Sequence, residues 1–316
     1  MKHFAYARTA LKYGLKHFNF TQNDAILIPS YICDALVQPI KKLKIKITYY
    51  DLDSELNPIW ENLETIIQQH SFKAIVIVHY FGQPQDLFKY KDLCQKYKIL
   101  MIEDNAHGYG GRYNNKLLGT FGDIGISSPR KILNIFTGGI LYLNGEKYSV
   151  ELNRIKFNTL IMLAIKKILI NISPFIKIYL MNIFKKTPNF KNPYLLTENK
   201  VSDMMADRFS NRIINKYQDN SLTLISKKRR IVWNMYMKMI KDDDLIYPLF
   251  PHLFETSSPW AFPVCIKNIE DRNKVVKKYL KKGIAVFPWP ALPKEVLDKN
   301  DTVKEFWKKV ICFPIY

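Results

Sequence analysis

Residues 74–104 read AIVIVHYFGQPQDLFKYKDLCQKYKILMIED and contain one complete strand–helix–strand unit. The runs at 74–80 and 99–103 are short, apolar and rich in branched side chains, which is typical of buried strands. Between them, residues 87–97 carry apolar side chains near helical spacing. Because a helix separates the two strands, we expect them to lie parallel in one sheet.

The same alternation extends through the first half of the chain. Further strand-like runs lie at 25–30, 45–52 and 123–127, and an amphipathic stretch lies at 58–70. Strands that alternate with helices are typical of βαβ units. We therefore predict an α/β fold with a mostly parallel sheet sandwiched by helices. In such sheets, ligands bind beyond the carboxyl ends of the strands.

The pattern changes near residue 201. A helical segment is followed by a strand at 261–266, a helix at 269–282 and a strand at 284–287. This order predicts a large domain over residues 1–200 and a smaller C-terminal α+β domain over 201–316.

Residues 157–186 form an apolar insertion in the predicted large domain. Lysines and Pro174 interrupt it, so no part reaches the apolar length of a membrane-spanning helix. Two amphipathic helices with basic edges fit the pattern better. They either pack against the domain or a partner subunit, or lie on a membrane surface.

The charge and cysteine content limit the classes of partner and site. The formal net charge of +20 predicts attraction to nucleic acid, an anionic membrane or phosphorylated small molecules. No signature of a nucleic-acid-binding module appears, so we predict no nucleic-acid partner. Cys33, Cys94, Cys265 and Cys312 lack metal-ligand spacing, so we predict no metal site and reduced thiols in a cytoplasmic protein. The N-terminus lacks the apolar core of a signal peptide.

Polar residues of one particular chemistry follow the predicted strands. Glu103-Asp104 ends one strand, and Ser127 and Lys131 follow the end of another. A pyridoxal phosphate enzyme needs a lysine amine, a carboxylate for the pyridine nitrogen, and hydroxyl and N–H groups for the phosphate. A strand-end carboxylate alone usually caps a helix, and a lone lysine is usually a surface residue. Their combination at the ends of successive elements is more informative.

Several short motifs occur in a fixed order along the first half of the chain. They are residues 7–11 (ARTAL), 27–33 (LIPSYIC), 50–53 (YDLD), 79–82 (HYFG), 102–107 (IEDNAH), 119–125 (GTFGDIG), 127–131 (SSPRK) and 137–139 (TGG). In this order and spacing they resemble the DegT/DnrJ/EryC1/StrS family of sugar aminotransferases. The resemblance implies the pyridoxal phosphate transferase fold of type I, with pyridoxal 5'-phosphate as the cofactor.

The resemblance implies roles for the residues around the cofactor ring. Lys131 is expected to hold the cofactor as a Schiff base, and Asp104 to pair with the pyridinium nitrogen. His107 matches a position that contacts the phenolic oxygen of the cofactor. Tyr31 is the candidate for stacking on the ring, although Cys33 lies closer to the expected position in some relatives.

For the phosphate, the resemblance implies Thr9 with the N–H group of Ala10 on one side and Ser127 on the other. The family pattern is not fully kept here. Its phosphate-binding serine commonly lies five residues before the lysine, where this chain has Ile126. Ala7 stands where glycine is common.

The resemblance further implies transfer of an amino group from glutamate to a nucleotide-linked keto-sugar, in polysaccharide or glycoconjugate biosynthesis. The enzyme is expected to be a cytoplasmic homodimer, either free or at the inner membrane face through residues 157–186. One alternative is a sugar dehydratase that uses pyridoxamine phosphate, but relatives with that chemistry generally replace the Schiff-base lysine by histidine. Another is a non-catalytic homologue that binds a partner or a membrane.

Overall fold

The structure is a computed structural model that describes residues 3–144, 151–171, 203–217, 219–289 and 291–316. Its helices are α1 (Ala7–His17), α2 (Asp34–Lys42), α3 (Trp60–Gln69), α4 (Leu87–Tyr97), α5 (Phe157–Asn171), α6 (Arg208–Lys216), α7 (Asp219–Ile240), α8 (Arg272–Lys281), α9 (Lys294–Lys299) and α10 (Asp301–Lys309). Its strands are β1 (Ala25–Pro29), β2 (Lys46–Tyr50), β3 (Ala74–Val78), β4 (Leu100–Asn105), β5 (Arg112–Tyr113), β6 (Lys116–Leu117), β7 (Ile124–Ser127), β8 (Ile140–Leu143), β9 (Ile246–Pro248), β10 (Ala261–Ile266), β11 (Phe287–Pro288) and β12 (Val310–Pro314).

The central sheet has six strands in the order β2-β1-β3-β4-β7-β8. The first five are parallel to one another, and β8 pairs with β7 in the antiparallel direction. The predicted α/β fold with a mostly parallel sheet is therefore confirmed. All five parallel strands end at the same edge, which is where polar residues follow the strands in the sequence.

Helices cover both faces of this sheet, because its side chains alternate between two cores. Ile26 and Ile28 of β1 belong to one core, together with Leu11 of α1 and Val37 of α2. Leu27 lies between them in sequence and belongs to the other core.

The second core also contains Leu63 of α3 and Tyr90 of α4. Helix α4 begins where the Asp86 carboxylate accepts a hydrogen bond from the N–H of Lys89 at 3.1 Å, which satisfies one free donor of the first turn. It ends at Lys98, whose backbone is left-handed with a φ of 54°. That turn redirects the chain into β4.

A second sheet lies in the C-terminal part, with the order β11-β12-β10-β9. Its neighbouring strands are antiparallel. Trp233 of α7 contacts Phe262 at 4.8 Å between ring centroids, and Tyr279 of α8 contacts Phe313 at 4.6 Å. This part of the chain contains both an antiparallel sheet and helices, which is the mixture of elements that the sequence predicts here. One hydrophobic core joins residues of both parts, so the division at residue 200 stays a prediction.

Helix α5 covers the first half of the apolar segment predicted at 157–186. Residues 172–186 lie outside the described residues. No helix within the described ranges has both the length and the hydropathy needed to cross a bilayer.

Candidate active site

A cleft opens at the carboxyl edge of the central sheet. Counted with its open mouth, it encloses about 630 Å³, which is in the range of small-molecule sites. Its walls come from the N-terminus of α1 and from the segments that follow β1, β3, β4 and β7. Side chains that line it include Tyr6, Arg8, Cys33, Asp104, His107, Ser128, Arg130, Lys131 and Trp289.

The two carboxylates at the end of β4 point to opposite faces of the sheet, because strand side chains alternate. Asp104 lines the cleft, whereas Glu103 is fully buried on the other side. Glu103 accepts hydrogen bonds from the N–H groups of Gly119, Phe121 and Gly122 at 2.6, 2.6 and 3.1 Å. It is therefore a structural carboxylate that fixes the loop before β7.

His79 belongs to the same structural group. Its Nδ1 accepts a hydrogen bond from the N–H of Gln85 at 3.1 Å, so its Nε2 must carry the proton donated to Glu103 at 2.9 Å. Burial opposes ionisation of Glu103. The contacts with His79 and with the backbone donors outweigh that effect and lower the pKa of the carboxyl.

Asp104 lacks such a set of donors. Its Oδ1 accepts one hydrogen bond from the N–H of Ala106 at 2.8 Å. Burial raises the pKa of Asp104, and the Ala106 N–H and the charge of Lys131 offset this only in part. The cleft therefore contains a carboxylate that a cationic ligand atom would stabilise.

Lys131 ends a short 3-10 turn, Pro129–Lys131, directly after β7. Burial lowers the pKa of its amine to about 8, an effect that Cys33 and Asp104 oppose and Arg130 reinforces. The Nζ atom lies 4.8 Å from the centroid of the Trp260 ring. A lysine with a pKa near neutrality is a competent nucleophile for a carbonyl group, because part of it is unprotonated.

His107 completes this end of the cleft. Its ring lies 4.4 Å from the Trp260 ring between centroids, with an angle of 31° between the planes. Burial and the charge of Lys131 hold the pKa of His107 well below its usual value, so the imidazole is neutral at pH 7. Its Nδ1 is buried without a hydrogen-bond partner. We call Asp104, His107 and Lys131 the ring end of the cleft.

Two guanidinium groups give the other end of the cleft a positive charge. The Cζ atoms of Arg8 and Arg130 lie 4.6 and 5.1 Å from the centroid of the same Tyr6 ring. Both Nε atoms are buried without a hydrogen-bond partner. Among the described residues, neither arginine forms an ion pair with an Asp or Glu. We call Tyr6, Arg8 and Arg130 the anion end of the cleft, because its charge is unmatched.

The N-terminus of α1 adds to this positive character. The backbone N–H groups of Ala7 and Arg8 belong to the first turn, where a helix offers no internal acceptor. A helix N-terminus attracts anions through these groups and the helix dipole. The backbone at Gly139 packs closely against the start of α1. A side chain would not fit there, because a Cβ atom would lie 2.5 Å from the Ala7 nitrogen.

The structure brings Asp104, His107 and Lys131 into the cleft, but not the remaining predicted site residues. Thr9 lies on the buried face of α1, and the N–H groups of Thr9 and Ala10 both donate to the Tyr6 carbonyl, at 3.0 and 3.2 Å. One position on a helix turns a side chain by about 100°, so Arg8 takes the place expected for Thr9.

Ser127 and Tyr31 are displaced for similar reasons. Ile126 of β7 faces the cleft, so the next residue, Ser127, points away and lies 3.3 Å from Asn105 Nδ2. Tyr31 is buried and stacks on Trp289 at 5.1 Å rather than lining the cleft. Cys33 lines the wall instead, which is the position that the family pattern indicated in some relatives.

Two site residues from the C-terminal part have no local signal in the sequence. Trp289 lines the cleft, and Trp260 covers both Lys131 and His107. Arg229 holds Trp260 in place by donating hydrogen bonds to the carbonyls of Pro259, Trp260 and Ile315, at 2.7, 3.0 and 2.6 Å. Their position depends on packing between the two sheets, which a strand or helix pattern does not contain.

The model of the DegT/DnrJ/EryC1/StrS aminotransferase family matches residues 4–162. GDP-perosamine synthase of Escherichia coli O157:H7 is 30% identical over 155 residues, which cover 46% of this chain and 42% of that protein. The matched part thus spans less than half the length of the curated relatives.

Solved structures share the fold over nearly the whole chain. Helicobacter pylori PseC, an aminotransferase involved in the biosynthesis of pseudoaminic acid, superposes with a TM-score of 0.70 at 19% identity, covering 98% of this chain and 80% of that chain. The E. coli GDP-4-keto-6-deoxy-D-mannose-3-dehydratase with bound hydrated pyridoxal phosphate gives a TM-score of 0.66 at 19% identity, with the same coverage. At this identity the likeness supports the fold.

Proposed function

Because the chain belongs to the DegT/DnrJ/EryC1/StrS aminotransferase family, as the match over residues 4–162 shows, we propose that it transfers an amino group to a keto-sugar. The observation that carries this proposal is the meeting of Lys131 and Asp104 in one cleft at the carboxyl edge of the sheet. The family's cofactor is pyridoxal phosphate, and the first question is whether these side chains fit it.

The unmatched groups of the cleft have the complementary charges. A protonated pyridine nitrogen is a cation that suits the Asp104 carboxylate, whose pKa is raised by burial. A phosphate is an anion that suits the unpaired guanidinium groups of Arg8 and Arg130 and the free N–H groups of α1. His107 Nδ1 is a buried atom without a partner that can hydrogen-bond a phenolic oxygen. These residues fit the cofactor without any change in the fold.

When bound, pyridoxal phosphate supplies a conjugated ring that accepts the electron pair of a broken C–H bond. Lys131 has two tasks. Its unprotonated Nζ, favoured by the lowered pKa of about 8, attacks a carbonyl carbon. As a free amine, the same Nζ would accept a proton from the reacting carbon and return one to it. Asp104 holds the positive charge at the ring nitrogen, and Trp260 shields the amine from bulk water.

The proposed partners follow from this chemistry. The amino donor is an amino acid such as glutamate, and the acceptor is a nucleotide-linked keto-sugar, a class that suits a protein with a net charge of +20. This class is supported by the sequence relative GDP-perosamine synthase and by the structural neighbour PseC, an aminotransferase involved in the biosynthesis of pseudoaminic acid. We further propose a homodimer that acts in the cytoplasm or at the inner membrane face, in polysaccharide or glycoconjugate biosynthesis.

The first test is capture of the cofactor. Purified protein mixed with pyridoxal phosphate should gain a visible absorption band, and borohydride reduction should leave the cofactor attached to the peptide that contains Lys131. The variant Lys131→Ala should show neither signal, whereas Lys277→Ala, an exposed lysine on α8, should behave like the wild type. A wild-type protein that binds no pyridoxal phosphate would remove the basis of the proposal.

The second test separates transamination from the other readings. Glutamate should convert the bound cofactor to its amine form, and a panel of nucleotide-linked keto-sugars should convert it back with an amino-sugar as the product. Release of a deoxy-sugar without an amino group would instead identify a dehydratase. Cofactor binding without either conversion would identify a non-catalytic homologue.

A further inference from the structure

Helix α5 exposes an apolar face. Ile161, Met162 and Ile165 are 42%, 72% and 52% exposed, and with the exposed Asn158 they occupy one stripe of the helix. A helix on a protein surface normally presents its polar side chains to water. Here three large apolar side chains are turned toward solvent beside Asn158. Nothing in the described parts of the chain covers them.

The sequence around this helix is basic without compensation. Residues 152–197 contain eight Lys and Arg and no Asp or Glu, although the whole chain has 28 acidic residues. Arg154 and Lys156 stand directly before α5 and are exposed. An apolar stripe beside uncompensated cations is complementary to a surface that is apolar inside and anionic outside, which describes the headgroup region of an anionic bilayer.

The start of α5 is firmly attached to the rest of the protein. Asn153 exchanges backbone hydrogen bonds with Asp203 and Met205, at 2.9 and 3.0 Å. Asp203 in turn forms an ion pair with the buried Lys12 of α1 at 2.7 Å. Because α5 is attached in this way, a surface that binds α5 would also hold the rest of the protein beside it.

The same anchor lies next to the cleft. Ala5 donates a hydrogen bond to the carbonyl of Met204 at 2.9 Å, and the following residues, Tyr6 and Arg8, form the anion end. The exposed helix therefore leaves the fold beside the wall of the cleft.

From these observations we propose that α5 docks on the surface of an anionic phospholipid membrane. Ile161, Met162 and Ile165 enter the boundary between headgroups and acyl chains, while Arg154 and Lys156 contact lipid phosphates. The proposal does not depend on the cofactor chemistry. It names the surface that holds the protein beside a membrane and the residues that recognise it.

The test is flotation of the full-length protein with vesicles of phosphatidylcholine alone or mixed with phosphatidylglycerol. The wild type should float with the mixed vesicles. The variant Ile161→Gln/Met162→Gln/Ile165→Gln should partition at least about tenfold less, because three apolar side chains no longer enter the bilayer. A matched control on α7, Leu224→Gln/Ile231→Gln/Met235→Gln, changes three equally exposed apolar residues and should float like the wild type.

A second pair of variants tests the charge. Arg154→Gln/Lys156→Gln should reduce partitioning to the mixed vesicles by about fivefold for each charge removed, with no change on phosphatidylcholine alone. Lys277→Gln/Lys281→Gln on α8 removes two exposed charges elsewhere and should have no comparable effect. Because Arg154 and Lys156 are exposed, their loss leaves the core intact, which a thermal melt checks.

Two results would overturn the proposal. One is equal flotation of the wild type and the α5 variant. The other is the same equal flotation accompanied by a loss of self-association of the α5 variant in light scattering. That result would make this face a subunit interface. Failure of cofactor capture would leave the membrane result unaffected, so the two proposals are tested separately.

Discussion

The ring end and the anion end of the cleft differ in how they relate to the sequence. At the ring end, Asp104, His107 and Lys131 stand where the family pattern places them, and all three line the cleft. At the anion end, the predicted hydroxyl residues Thr9 and Ser127 do not line the cleft, whereas Arg8 and Arg130 do.

The two ends differ in how many residue types can fill their proposed roles. A Schiff base needs an amine, and a carboxylate is the side chain that suits a protonated ring nitrogen, so few residue types would serve in these two proposed roles. A phosphate can be held by hydroxyls, backbone N–H groups or guanidinium groups. Its site therefore tolerates replacement of the residue type as long as positive character remains.

The largest expected effect is at the ring end. Asp104→Asn keeps the size of the side chain and an acceptor for the Ala106 N–H but removes the charge. The rate of the glutamate half-reaction should fall at least about a hundredfold, because the ring nitrogen loses its counter-charge. Stopped-flow absorbance measures it.

The neighbouring carboxylate is the control for that variant. Glu103→Gln places an NH₂ group among the donors that now face a carboxylate, and should cost about 3 kcal/mol of unfolding free energy. We expect a lower thermal midpoint for Glu103→Gln and a nearly unchanged one for Asp104→Asn. The reverse order would contradict the assignment of the two faces of β4.

At the anion end, Arg8→Gln and Arg130→Gln should each weaken the affinity for pyridoxal phosphate by about tenfold to a hundredfold, as expected for a lost charged hydrogen bond. Pyridoxal, which lacks the phosphate, should be captured equally well by these variants and the wild type. Arg208→Gln, an exposed arginine of α6, is the matched control. If both ligands weaken in parallel, the arginines do not bind the phosphate.

The pH dependence of cofactor capture tests Lys131. The unprotonated amine is the reactive form, so the capture rate should rise roughly tenfold per pH unit at low pH and level off above the pKa of about 8. Because Asp104 stabilises the charged amine, Asp104→Asn should move this plateau to lower pH. A rate that still rises up to pH 10.5, the ordinary lysine value, would show that the amine is not desolvated.

The smallest effects concern β7. Ile126 faces the cleft, so Ile126→Ser should add a hydroxyl there and raise the affinity for pyridoxal phosphate by a few-fold at most. Ser127→Ala should change that affinity by less than about twofold, because Ser127 lies against Asn105. Equilibrium titration distinguishes the two. A larger loss in Ser127→Ala would restore the role that the sequence suggested for it.

The sequence was sufficient for the five parallel strands of the central sheet, but it did not predict the antiparallel strand β8. Each of these strands is a short local run, and helices α2, α3 and α4 connect β1 to β4 as βαβ units, which are parallel. It was less informative for the second sheet. There the chain pairs Ala261 with Pro314, and no local pattern joins two segments so far apart. Of the strand predicted at 284–287, only Phe287 lies in a strand, β11.

Within the site, the limit lies in side-chain direction. The motifs identified segments that line the cleft, but a shift of one residue in β7 or α1 reverses or rotates the side chain. Trp260 could not be identified at all, because Arg229 and the second sheet bring it to Lys131.

The Arg229 side chain acts as a mechanical link. One guanidinium group joins α7, the start of β10 and the carboxyl end of the chain, through the carbonyls of Pro259, Trp260 and Ile315. A displacement of the last residues is therefore expected to reach the backbone of Trp260, whose indole lies over Lys131. Immobilisation through Tyr316 should therefore disturb Trp260 more than immobilisation through an exposed residue of α8 such as Lys277.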